Sequence, residues 1–150
     1  MTSIMQQTTS IEFDVVPSKP QHPLSLTVEL NGQVQWQQSA VTEKSHVIIQ
    51  LDDSQITEHS IKFIVANKTP EHTKIDSEGN IIDDSVLILD NITMSDIDVT
   101  NFCHTFATYT HDLNGTGDMR TQPMYCELGC NGTAEMKFTT PIYLWLLEHI

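Results

Sequence analysis

Residues 59–99, HSIKFIVANKTPEHTKIDSEGNIIDDSVLILDNITMSDIDV, constrain the fold more than any other stretch of this chain. Ile61, Phe63 and Val65 alternate with Lys62 and Ile64, so they can share one face. A polar segment ending in Ser-Glu-Gly-Asn follows. A second apolar run then opens at Ser85, with Val86, Ile88 and Asp90 on one face and Leu87, Leu89 and Asn91 on the other. Successive side chains of a strand point to opposite faces. Period-two apolar spacing therefore predicts half-buried strands over 59–66 and 85–93, and the glycine-bearing polar segment predicts a turn between them. Two strands joined by a long acidic loop commit the chain to sheet. The same loop gathers many oxygen ligands.

Further strands are expected over 11–16, 24–30, 33–37 and 46–51. Leu24, Leu26, Val28 and Leu30 alternate cleanly, and Asn31-Gly32 after them is a strong hairpin signal, because both residue types tolerate positive φ. The return strand is expected to put Val34 and Trp36 on one face. Pro17, Pro20 and Pro23 suit an extended connector from which no ladder hydrogen bond is wanted. Asp52-Asp53-Ser54 turns the chain, and 96–99 is expected to extend the 85–93 strand after a bend. Phe102, Phe106 and Tyr109 have the three- and four-residue spacing of a short helix, although the threonines around them also suit strand or loop. Residues 111–117 form a loop, and 125–128 and 133–138 are expected strands around a turn at 129–132. Thr140 is placed to cap a helix over 141–148 that opens with Pro141. That helix is apolar nearly all round, so it should be buried against the domain or another subunit. Many short strands separated by turn signals predict an all-β chain, an antiparallel β-sandwich or jelly roll with a short C-terminal helix. It is expected to be one domain over 1–150, with a polar arm over 1–10 and an apolar docking segment over 141–150.

A chain of 150 residues can bury a core without metal or disulfide staples. Seven Lys+Arg against 20 Asp+Glu give a net charge of −13, which opposes binding to nucleic-acid phosphates and to anionic membranes. Divalent cations or a basic partner protein suit such a surface, and solubility alone also accounts for it. Three cysteines, Cys103, Cys126 and Cys130, argue against a disulfide framework. The N-terminal residues lack a basic segment followed by an apolar core, and 141–150 is too short to span a bilayer, so folding in a cytosol without membrane insertion is expected. The Asn-X-Thr sequences at Asn67, Asn91, Asn114 and Asn131 are read as turn chemistry.

Asp76, Asp83, Asp84 and Asp90 are the first candidate ligands. Calcium takes six to eight oxygens, and carboxylates at a turn can supply several, although aspartate also favours turns for its own sake. Asp112, Asn114 and Asp118 are a second calcium candidate, spaced like the start of a calcium loop. The twelfth position of such a loop, which should be a carboxylate, is Pro123. Cys126 and Cys130, with Cys103 and His104 upstream, lack the usual spacing of a zinc knuckle. His59, His72 and Ser85 carry no nucleophile signature, so no catalytic residues are assigned. Trp36, Tyr125, Tyr143 and Trp145 could stack on sugar rings. Tyr143 and Trp145, together with Leu146, fit an interface better.

The strand opening at His59, the Asp-bearing loop and the acidic Ile-rich tail resemble calcium-dependent carbohydrate-binding modules of the xylan-binding kind. Those modules carry Asp followed by Arg-Asn where this chain has Asp83-Asp84-Ser85. A wider set of segments, NKTPEHTKIDSEGNIIDD, THDLNGTG, ELGCNGT and TPIYLWLLE, is similar to small virion-associated proteins of T4-like marine tailed bacteriophages. That resemblance implies a non-enzymatic structural or adsorption component of a tail, baseplate or capsid surface, assembled in the host cytoplasm. It would act through neighbouring phage structural proteins or through further copies of itself. The first resemblance implies the alternative, a module that binds a host surface glycan with calcium as its one cofactor.

Overall fold

A computed structural model describes residues 8–149. Residues 1–7 of the expected polar arm lie outside the described residues, and Thr8 to Ser10 already belong to the first strand. In chain order the elements are β1 (Thr8–Pro17), β2 (Ser25–Leu30), β3 (Gln33–Gln38), β4 (Ser45–Asp52), β5 (Thr57–Ala66), β6 (Thr73–Ile75), β7 (Ile81–Asp84), β8 (Leu87–Met94), β9 (Ile97–Asp98), α1 (Thr100–Phe106), β10 (Thr108–His111), β11 (Arg120–Pro123), β12 (Glu127–Leu128), β13 (Gly132–Thr140) and α2 (Ile142–His149). One sheet runs β12-β8-β1-β4, with β9 folded back on β8. The other runs β11-β10-β13-β5-β2-β3. All pairings are antiparallel.

Alternation makes the two layers. Ile11, Phe13, Val15, Val47, Ile49, Leu87 and Leu89 of the first sheet and Leu26, Val28, Ile61, Phe63 and Val65 of the second are all buried. Phe13 and Phe63 meet edge to face at the centre, with ring centroids 5.3 Å apart. Burying each such side chain is worth about 1.5–3 kcal/mol, and facing two apolar sheets removes both sets from water at once. The chain is thus an antiparallel β-sandwich with a short C-terminal helix. Among the described residues no helix is long and apolar enough to cross a membrane.

Turn chemistry sets the registers. Asn31 and Gly32 take φ of 53° and 83°, and Leu30 pairs with Gln33 around them. Three of the four Asn-X-Thr asparagines, Asn67, Asn91 and Asn114, also have positive φ.

Local irregularities account for the departures from the sequence expectations. Val28 pairs with Trp36 and Glu29 with Val34, so Gln35 is an extra residue. A bulge of this kind sends its neighbours to opposite faces. Trp36 packs against the core while Val34 stays 54% exposed, and the two do not share a face. A second bulge opposes Asn91 and Ile92 to Phe13, so Ile92 and Met94 continue the buried face of β8. Ser95 and Asp96 both take positive φ, and Met94 pairs with Ile97. Residues 97–98 therefore turn back on β8 instead of extending it. Tyr109 lies on β10 and not in the short helix, and β11, outside every expected strand, pairs beside it. Tyr125 and Cys126 are a positive-φ turn, which shortens that strand to two residues. Thr140 does not cap α2. It ends β13 and its hydroxyl donates to the Gln55 carbonyl, while Asp53 Oδ1 accepts the Ile142 N–H at 2.7 Å.

Candidate functional site

A concavity lies where the start of β5, the end of β13 and α2 meet. Its volume is about 540 Å³, and His59, Asn31, Phe106, Trp145 and His149 line it, with the exposed Glu58, Lys137 and Glu148 on the rim. The hairpin turn brings Asn31 beside β5, and the β5–β13 register sets His59 opposite Phe138. The imidazole stacks on that ring at 5.3 Å.

An oriented hydrogen-bond chain fixes the polar side. Asn31 Oδ1 accepts the Ser60 N–H at 2.9 Å, which leaves its Nδ2 to donate to His59 Nδ1 at 2.9 Å. His59 must then carry its proton on Nε2, which donates to Thr140 Oγ1 at 3.1 Å. That hydroxyl in turn donates to the Gln55 carbonyl at 2.7 Å. Protonating His59 would set an N–H against the Asn31 amide. Burial already pushes the imidazole below its ordinary pKa, and Asp53 opposes this only in part.

The apolar side is an aromatic cluster. Phe102 and Phe106 stack at 4.7 Å, and Trp145 meets them edge-on at 5.6 and 5.3 Å. His149 leans on Trp145 at 4.8 Å, and its Nδ1–H donates to the Trp145 carbonyl. Phe106 is half-buried and His149 exposed, so both present surface to the cleft. Both nitrogens of His59 are engaged by the protein, and Ser60 donates its hydroxyl to Glu135 at 2.6 Å. The arrangement offers hydrogen bonds and flat apolar faces; neither group is poised to take a proton from a substrate.

The aspartates picked out in the sequence have separate tasks. Asp76 accepts the N–H groups of Asn80 and Glu78, each at 2.9 Å, and these bonds hold its carboxyl below the usual range. Asp83 pairs with Lys19 at 2.9 Å, which lowers its pKa. Asp84 pairs with Lys68 at 2.6 Å and accepts from Thr73 at 2.7 Å. Asp90 is exposed, accepts the Asn91 N–H, and lines a second groove of about 600 Å³ with Asp98 and Phe102. In the second set, Asp112 accepts from Gly115, Asn114 Oδ1 accepts the Asn131 N–H, and Asp118 lies 3.7 Å from Arg120. Among the described residues no three of His, Cys, Asp or Glu gather where a metal could sit. Cys103, Cys126 and Cys130 are free. Burial pushes the first two thiols up to about 12 and about 11.

Of the residues expected at an interface, Trp145 and Leu146 are buried within the domain, while Tyr143 is exposed. Elsewhere, on the outer face of the smaller sheet, His46 bridges two carboxylates. Nδ1 lies 2.7 Å from Asp14 and Nε2 3.0 Å from Glu12. These bonds, the one to Asp14 foremost, raise the His46 pKa. Asn91 and then His46 lower that of Asp14. Asn31, Phe106 and Lys137 were not candidates from the sequence; Asn31 carried only a turn signal there.

No protein-family model matches the chain, and no match is found among curated proteins. Two solved structures are similar at 14% identity. One is the selenomethionine form of vCBM60, described with a circular permutation that links two families of calcium-dependent carbohydrate binding modules. It covers 85% of this chain and 89% of its own, with a TM-score of 0.48. The other is vCBM60 in complex with galactobiose, covering 85% and 96%, with a TM-score of 0.41. At this similarity neither assigns a ligand or a site to this chain.

Proposed function

We propose that this domain is a non-catalytic carbohydrate-binding module and that its glycan lies in the cleft between α2 and the β5–β13 pair. The observation that carries the proposal is the locked chain Ser60–Asn31–His59–Thr140 beside the aromatic cluster. A sugar ring presents apolar C–H faces and a rim of hydroxyls that need both donors and acceptors. Phe106 and His149 supply faces, and Glu58 and Lys137 supply an acceptor and a donor on the rim. Groups already held in place lose little freedom when a ligand arrives, which suits weak but specific capture. The test is a glycan array followed by isothermal titration of the wild type, Glu58→Gln and Lys137→Ala. Each rim variant should weaken binding about tenfold, roughly 1.4 kcal/mol. Absence of binding across the array, or rim variants that bind as the wild type does, would overturn it. Running the titration with calcium and again with a chelator reads any requirement for the ion directly.

A second reading makes the domain a component of a tailed-phage particle, held by neighbouring structural proteins. What supports protein contacts is the outer face of α2, where Tyr143, Leu144 and Leu147 are 59%, 54% and 63% exposed. Leu144→Ser with Leu147→Ser should leave the fold intact and abolish incorporation into particles. Incorporation at the wild-type level would remove that reading.

A further inference from the structure

The β6–β7 hairpin belongs to neither sheet, yet it is firmly footed and crowned with apolar side chains. A bulge sets Ile81 and Ile82 against Ile75, and the three are 65%, 58% and 58% exposed. A lone two-stranded hairpin is marginal in water. This one is anchored at its base, where Asp84 takes both Lys68 and the Thr73 hydroxyl, and closed at its tip, where Asp76 accepts two backbone N–H groups. Among the described residues nothing covers these three isoleucines.

We infer that this hairpin is a docking knob for a partner protein whose apolar pocket has a Lys- or Arg-rich rim. Charge selects the occupant. Asp76, Glu78 and Asp83 flank the isoleucines; Lys74 lies among them and Lys19 pairs with Asp83, so two lysines face three acids and the patch stays net negative. A second copy would bring the same carboxylates face to face, on a molecule of net charge −13. An anionic lipid surface would meet the same repulsion. A basic rim around an apolar pocket satisfies both features of the knob. The inference is independent of the glycan cleft, which lies on other elements.

The probes are two synthetic seven-residue peptides, one alternating Lys with Val and one alternating Glu with Val. Each is titrated into the ¹⁵N-labelled domain. The Lys peptide should shift amides of residues 73–84 and bind at least tenfold more tightly than the Glu peptide. Its affinity should fall as salt is raised, and Ile75→Thr with Ile81→Thr and Ile82→Thr should abolish the shifts while the remaining spectrum stays dispersed. Glu78→Lys, at an exposed turn position, is the milder variant and should weaken the Lys peptide several-fold. Equal binding of both peptides, shifts centred elsewhere, no shifts at millimolar peptide, or concentration-dependent dimerisation through the hairpin would each overturn the inference.

Discussion

Replacing Asp84 with alanine should cost far more than replacing its partner Lys68 with methionine. The Lys68 side chain is 1% exposed, with its ammonium against Asp84 Oδ1 and the Ser85 carbonyl, whereas the Asp84 side chain is 29% exposed. Asp84→Ala leaves a positive charge buried with one neutral acceptor, and removing one partner of a buried pair costs about 3–5 kcal/mol. Water reaches the remaining carboxylate in Lys68→Met, and the methionine refills the lysine stem, so that variant should lose about 1 kcal/mol or less. The double variant should resemble Lys68→Met alone, because no charge is then stranded. A domain of this size shifts by about 2–4 °C per kcal/mol, so Asp84→Ala should lower Tm by roughly 10 °C. Urea and thermal unfolding of the three variants measure the cycle, and additive effects from the two single changes would refute the reasoning. The same pair foots the β6–β7 hairpin, so amides of 73–84 should lose hydrogen-exchange protection first in Asp84→Ala.

Further outcomes follow from the geometry. His46, with its folded pKa raised above about 6.5, should add stability that is fully present below that pH and lost as pH rises through the folded value. Unfolding from pH 5 to 9 should show this slope, and His46→Gln should lack it. His59 has the opposite sign: its folded pKa is lowered, so its contribution is present above about 6.5 and lost as pH falls through the folded value. Asn31→Asp, which puts a carboxylate at Nδ1, should move the His59 titration upward by NMR, and an unmoved midpoint would break the assigned tautomer. The β3 bulge predicts unequal neighbours: Trp36→Ala should cost about 2 kcal/mol and Val34→Thr less than about 0.5 by urea unfolding, whereas comparable losses would put both on one face.

The sandwich was legible because its inward residues repeat every second position, as in Leu26, Val28 and Leu30 or Ile61, Phe63 and Val65. Asn31-Gly32 announced its own turn. The bulges at Gln35 and Asn91 were not legible, since an ordinary glutamine or asparagine inserts one residue without any change in composition. The separate partners of Asp83 and Asp84 were not legible for a related reason. Neighbours in sequence, the two aspartates point to opposite faces of β7 and reach different lysines, Lys19 and Lys68. The cleft was invisible because Asn31, His59, Lys137 and Trp145 are distant in sequence, and only the β2–β5–β13 pairings and the packing of α2 bring them together.

The most direct test of glycan capture is a map of where a bound sugar sits. Amide and imidazole resonances of the ¹⁵N-labelled domain, followed while an array-selected oligosaccharide is added, should move at Asn31, His59, Lys137 and His149 and stay still on the outer face of the smaller sheet. Shifts centred on the Asp90–Asp98 groove, or a spectrum unchanged by every sugar tried, would contradict the placement of the ligand in this cleft.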